Sequence, residues 1–171
     1  MKTLIIGFSH AKGFKPFSWA IQKVLGTSFS HTYIKFKSDK FDRVLIYQAS
    51  DLAVNFMEER RMLDTHKVIA EFQLEISDEA YQKTIQFAID QSGVPYGISQ
   101  IFGILYVKAL ELFGRREKSP FANGSSNYVC SELVAQILKE IIGLEVTTDL
   151  DLIDPKEVFE LLQQNHILET L

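Results

Sequence analysis

Cys130 is the only cysteine in the chain, and it opens the run Cys130-Ser131-Glu132-Leu133-Val134 after Tyr128-Val129. Behind it Leu133, Val134, Ile137, Leu138 and Ile141 recur at helical spacing. Ahead of it lies a loop-like stretch of small and polar residues, Ser119 to Asn127. This spacing predicts Cys130 at a helix N-terminus, where free N–H groups and the helix dipole favour a thiolate. A thiolate is an acyl-transfer nucleophile when a histidine exchanges protons with it and a polar group orients that histidine. The plainer role of a lone cysteine in a helix is that of a small buried apolar residue.

Four histidines compete for the base. His10 falls in a glycine-containing loop, His66 in the charged segment Glu58 to Lys67, and His166 after the last helical pattern. His31 alone begins a strand pattern, with small polar residues before it and Tyr33, Ile34 and Phe36 after it. A strand holds such a ring rigidly beside a helix N-terminus packed across it. Gln48 ends the next strand, in Ile46-Tyr47-Gln48-Ala49. A hairpin between the two strands returns Gln48 toward His31. An amide fixes the orientation of an imidazole but does not stabilise imidazolium as a carboxylate does. Asp51 is the carboxylate alternative. No His-Glu-x-x-His or comparable ligand spacing occurs, and no Gly-rich phosphate loop, so neither a metal nor a cofactor is expected.

The elements that must position these residues follow from pattern. Thr3 to Ser9 predicts a buried strand, followed by a loop to Pro16 and a helix over Phe17 to Leu25, with Trp19, Ala20, Val24 and Leu25 as its buried face and Gly26 as its stop. Strands are predicted from His31 to Lys37, Arg43 to Ser50, Ala53 to Met57 and Lys67 to Ile76, with a turn at Ser38-Asp39-Lys40. Ser77 is a candidate N-cap with Asp78 and Glu79 in the first turn, for a helix ending near Ser92-Gly93. Ile98 to Phe113 is apolar nearly all round, which predicts a buried helix, or otherwise a lipid-facing one. The Cys130 helix runs to Ile142 before Gly143, and Asp154-Pro155 starts a last helix to Gln164. Glu132 and Ser131 read as helix-start residues, and Tyr33, Tyr128 and Trp19 as packing residues. Strands first and helices after make an α+β chain: a small, mostly antiparallel sheet packed against helices, in one domain over residues 1–171.

Composition sets the outer limits. A net charge of −4 with 46% hydrophobic residues describes an ordinary globular chain, and no dense basic stripe favours nucleic acid. Lys12, Lys15, Lys23, Lys35, Lys37 and Lys40 make the N-terminal part locally basic, which reads as a solvated face or as contact with an anionic surface. Met1 to Phe8 is too short an apolar run for a signal peptide, and no long uncharged run spans a membrane. A cytoplasmic setting is the default expectation, with association to a phage or secretion particle as the variant. Oligomeric state stays open.

Ser30-His31-Thr32-Tyr33-Ile34, Ile46-Tyr47-Gln48-Ala49 and Tyr128-Val129-Cys130-Ser131-Glu132-Leu133-Val134 together resemble the circularly permuted NlpC-type papain-like hydrolases. That group includes the YiiX-like and YebB-like bacterial proteins, with lecithin–retinol acyltransferases as more distant relatives. In it the histidine strand precedes the cysteine helix. The resemblance runs from about Leu4 to the Asp154-Pro155 helix and takes in Val94-Pro95-Tyr96. It implies a permuted papain-like fold, with Cys130 as nucleophile, His31 as general base and acid, and Gln48 as the orienting residue, where many relatives carry glutamate. The implied activity is that of a cysteine amidase or peptidase. A lipid-directed thiol acyltransferase or hydrolase, with peripheral membrane contact, and a catalytically degenerate binding module are the alternatives. Peptide, amide or acyl-lipid substrates are the implied partners.

Overall fold

A computed structural model describes residues 1–38, 43–50, 53–112 and 127–170. Of the predicted turn at Ser38-Asp39-Lys40, Ser38 is the last residue of a strand, while Asp39 and Lys40, most of the 114–127 loop and Asp51 lie outside the described residues.

The sheet is built on β1 (Lys2–Ala11). Its alternation puts Leu4, Ile6 and Phe8 fully buried on one face. On its left β1 pairs antiparallel with β2 (His31–Ser38), which pairs with β3 (Arg43–Ser50) and then β4 (Ala53–Glu58). On its right it pairs with β5 (His66–Ile76), and β5 with the short β6 (Leu168–Glu169). The order is β4-β3-β2-β1-β5-β6, so the first strand of the chain is interior to the sheet. This is the expected α+β architecture with an antiparallel sheet.

The apolar face of the sheet is covered by helices. Phe8, Phe29, Phe72 and Phe159 meet ring to ring at centroid separations of 5.0 to 5.8 Å. Phe159 comes from α6 (Pro155–Gln164), whose start carries a full capping box between Asp154 and Glu157 with Pro155 in the first turn. α3 (Asp78–Asp90) begins as expected, with Ser77 Oγ accepting from the Ala80 N–H. α5 (Cys130–Ile137) is buried along nearly its whole length and continues as a π-helical turn, Leu138–Ile142, to Gly143 in the left-handed region.

On the opposite face Gly7 sits beside Tyr33 on β2 and Glu71 on β5. The missing side chain lets the Tyr33 ring cross β1 and donate its hydroxyl to Glu71 Oε1 at 2.9 Å. Lys35 Nζ reaches Glu71 and Glu59, each at 2.6 Å. Burial disfavours the Lys35 ammonium, but the two carboxylates outweigh it and hold its pKa above the ordinary value. Glu59 belongs to α2 (Glu59–Thr65), a helix the sequence pattern left as a charged segment. Its one buried residue, Met62, packs on Tyr33 and Ile46.

Two expectations about helices are corrected. In α1 (Pro16–Leu25) only Leu25 is buried, while Trp19 is 52% exposed and is not a core residue. Ile21 makes the inward contact instead, against Ile101, Ile104 and Val129. α4 (Ile98–Leu112) is not enclosed: Ile101, Ile104 and Val107 are buried, but Ile98, Phe102 and Tyr106 face outward. Phe17 packs against that outer stripe, its ring meeting Phe102 at 5.0 Å.

Candidate active site

Antiparallel pairing of β2 with β3 decides the first contact. Ile34 lies opposite Tyr47, so Gln48 shares a sheet face with Tyr33 and His31. His31 Nε2 and Gln48 Oε1 are 2.8 Å apart, in a pair that is buried. Since an amide oxygen only accepts, Nε2 carries the proton and Nδ1 is left as the nitrogen able to take one. The Gln48 amide nitrogen in turn faces Met57 Sδ at 4.0 Å.

Cys130 is the first residue of α5, as its sequence spacing predicts. The N–H groups of Thr32, Ser131 and Cys130 itself and the Tyr96 hydroxyl lie near its thiol and favour the thiolate. Thr32 is the residue after His31, so the cysteine helix is docked against the backbone of the histidine strand. The second contact follows from a short parallel bridge, Tyr96 to Tyr128, in which Gly97 N–H donates to Tyr128 O at 2.9 Å. That bridge sets Tyr96 beside the helix start. Gly97 is needed there: a Cβ would stand 2.8 Å from Gln100 Oε1 and 3.3 Å from Val129 Cγ1.

The electrostatics differ from the expectation of a depressed thiol pKa. Burial pushes Cys130 up, and the four hydrogen-bond donors around the sulfur only partly offset it. The resting thiol is therefore protonated, and its deprotonation depends on a base rather than on the helix dipole. Alkylation of Cys130 by iodoacetamide is expected to be slow at neutral pH and still climbing at about pH 9, above the ordinary thiol range near 8.5. A rate plateau below about pH 8 would contradict the burial argument.

His31 lines an open cleft of about 650 Å³ together with Lys12, Lys15, Phe17, Ser50 and His66. Cys130 lines an adjoining apolar pocket with Leu25, Ile104, Leu105 and Val129. Ile21, Ser30, Tyr96 and Ile101 border both, so the two spaces are neighbours.

Two residues of this site lay beyond the sequence reading. His66, set aside as part of a charged segment, begins β5 opposite Ala11, and its ring lies 5.7 Å from that of His31. Tyr96 had a pattern around it but no role. The other two histidines are elsewhere: His10 is on β1 and bonds at Nδ1 to the Ala11 carbonyl, and His166 follows α6. Tyr33 and Tyr128 are core residues rather than cleft borders, Tyr128 donating to Gln136 Oε1 at 2.8 Å.

Beneath the thiol, α5 is anchored from two sides. Ser131 Oγ donates to Ile153 O at 2.7 Å, and Glu132 Oε2 accepts from Gln100 Nε2 of α4 at 2.8 Å. Lys108 of α4 bonds Glu157 at 2.8 Å and stands 3.4 Å from Asp154, tying α4 to the start of α6. Glu132 is thus a buried anchor rather than a solvated helix-start acid. Burial first, and then the Asp151 carboxyl, push its pKa up to about 7, against the bonds from Gln100 and the Val129 N–H. Between its ordinary value of 4.5 and about 7 the folded protein keeps a proton that the unfolded chain has lost. Stability therefore falls as pH rises through that window, by on the order of 3 kcal/mol once it is passed. Glu132→Gln keeps an acceptor for Gln100 and removes the titration. Its urea midpoint is expected to change less between about pH 5 and 8 than that of the wild type, and equal slopes would refute the assignment.

No protein-family model matches the chain, and no curated protein does. The architecture defines an α+β fold with a six-stranded antiparallel sheet. Among solved structures it is similar to the crystal structure of metalloprotein yiiX from Escherichia coli O157:H7, DUF1105, with a TM-score of 0.67 over 99% of this chain and 96% of that one. At 17% identity this is a likeness of fold.

Proposed function

We propose that this chain is a cysteine-dependent amidase or peptidase of the circularly permuted NlpC-type papain-like kind, acting through an acyl-enzyme on Cys130. The observation that carries the reading is the His31 Nε2–Gln48 Oε1 bond of 2.8 Å beside a buried thiol that lies near the neighbouring Thr32 N–H. His31 precedes Cys130 in the chain, the order of the permuted group.

In this reading His31 Nδ1 takes the thiol proton as Cys130 Sγ attacks the substrate carbonyl carbon. The carbonyl oxygen becomes an oxyanion beside the N–H groups of the α5 start and the Tyr96 hydroxyl, the donors that lie near the sulfur. The tetrahedral adduct collapses, the C–N bond breaks, and imidazolium gives its proton to the leaving amine. Water then attacks the thioester with His31 as base, releasing the acid and restoring the thiol. Gln48 keeps the ring turned so that Nδ1 faces the chemistry. A neutral thiol paired with an amide-held imidazole makes the first proton transfer part of the barrier, unlike a preformed ion pair.

The yiiX neighbour is called a metalloprotein. Among the described residues of this chain no group of three or more His, Cys, Asp or Glu side chains is placed to hold a metal ion, so no step here passes through one.

Phe17, Ile21, Ile98 and Ile101 line the cleft beside His31, and this apolar wall favours an acyl ester or acyl lipid as the second reading. A panel of peptide amides, glycan-linked peptides and acyl esters of increasing chain length separates the two, with Cys130→Ala as control. Turnover of amides at a higher kcat/KM than esters supports the first reading. The reverse order supports the second, and no turnover of any substrate by well-folded protein favours a binding module on this scaffold.

A further inference from the structure

The outward face of α4 carries an apolar stripe along its first turns. Ile98, Phe102 and Tyr106 recur at four-residue spacing, each about half exposed, and Phe17 of α1 extends the stripe through its ring contact with Phe102. Phe14 is 77% exposed in the turn before α1, and Trp19 adds a further exposed aromatic ring on α1. Ile98, Phe102, Tyr106 and Phe17 make a continuous group of four large apolar side chains, beyond the scattered singles of an ordinary surface, whereas Trp19, two residues on from Phe17, lies around the other side of α1. It also borders the cleft: Phe17 and Ile98 line the same space as His31.

From these residues we infer that the α1–α4 face docks on an anionic lipid surface, with the cleft mouth turned toward the lipid. Charge selects this occupant. Lys12 and Lys15 line the cleft mouth beside Phe17 and Ile98, with Asp64 the one acidic side chain among the lining residues. Lys12 and Lys15 thus stand beside the apolar stripe on a chain whose net charge is −4. Aromatic rings at headgroup depth and lysines on phosphates are the pairing that interfacial helices use. A second copy of the chain seated across the same stripe by a two-fold axis would set Lys12 and Lys15 against their own equivalents, which opposes it. No helix among the described residues is long and apolar enough to cross a membrane, so the face lies on the bilayer rather than spanning it.

Docking needs no chemistry at Cys130, so it is read on Cys130→Ala protein as well as on wild type. The experiment is co-sedimentation with vesicles of phosphatidylcholine containing about one-quarter phosphatidylglycerol, against pure phosphatidylcholine, at low and high salt. Expected are partition onto the anionic vesicles, at least tenfold weaker binding in Phe102→Glu and in Lys15→Glu, and weakening by salt. Circular dichroism confirms that both variants fold, which their exposed positions predict. Equal partition of wild type and Phe102→Glu overturns the inference, as does absence of binding to the anionic vesicles. So does a wild-type dimer in sedimentation velocity that Phe102→Glu converts to monomer, since a second copy would then be the occupant.

Discussion

Cys130→Ala is expected to remove acyl transfer, with a loss of about 10⁴-fold or more in kcat/KM on whichever substrate class the wild type accepts. The thiol is the only cysteine of the chain and the only sulfur nucleophile at the α5 start. Nothing else in the cleft replaces it at neutral pH. His31→Ala should cost about 10² to 10⁴, the range for loss of a general acid–base group, and more here than in a site with a resting ion pair. Burial holds Cys130 protonated, so the first proton transfer depends on the base that His31 supplies. The double variant should be no worse than the poorer single one, because the two groups act as a unit. Quenched-flow mass spectrometry of the intact chain reads the result directly: an acyl adduct in wild type, on the peptide containing Cys130, and none in Cys130→Ala. An unchanged rate in Cys130→Ala, with its folding intact, would end the acyl-enzyme reading. Adduct formation without turnover in His31→Ala would place that histidine in deacylation only.

Gly7→Ala is expected to be the most destabilising single methyl in the molecule, by about 3 to 5 kcal/mol. A Cβ at Gly7 would fall on the Tyr33 ring, and neither partner has room to yield. β1 is paired on both sides from Ile5 to Ser9, so the backbone at Gly7 is held between β2 and β5. Tyr33 is fully buried, and its hydroxyl is committed to Glu71. Burial and the Glu71 carboxylate both push the Tyr33 pKa up, so the phenol stays a neutral donor at all ordinary pH values. Displacing the ring would expose Glu71 and Lys35 to loss of a buried partner, which costs more than an apolar gap of the same size. Urea unfolding measures the effect as a lowered midpoint at unchanged slope. The cause is separable by a double-mutant cycle with Tyr33→Ala, which removes the atoms in the way. Adding Gly7→Ala to Tyr33→Ala should cost far less than adding it to wild type. Simple additivity would show that the clash is not the source.

Much of the local structure was legible because local rules decide it. Ser77 with Asp78 and Glu79, and Asp154 with Pro155, announced helix starts through groups that bond within one turn, and both caps form as the pattern implies. The alternation after His31 and along Arg43 to Ser50 predicted the hairpin that carries the His31–Gln48 pair. The helical recurrence after Cys130 placed the thiol at a helix start. α2 was missed because its two turns are polar apart from Met62 and Leu63. What makes it a helix is Met62 packing on Tyr33 and Ile46 and Glu59 meeting Lys35, partners that come from β2 and β3.

By itself the sequence determined most of the helices and strands and where the cysteine helix begins, since each depends on neighbours a few residues away; it did not show that His10 and His66 also lie on strands, β1 and β5. Only the tertiary structure decided what is covered. Trp19 and the outer stripe of α4 look like core in composition but stay about half exposed. It also decided the state of the thiol. The helix dipole acts over one turn and favours a thiolate, whereas burial comes from the sheet and helices packed around Cys130, and burial outweighs it. Tyr96 and His66 enter the site for the same reason: a backbone bridge to Tyr128 and a strand paired with β1 bring together residues that the chain keeps far apart.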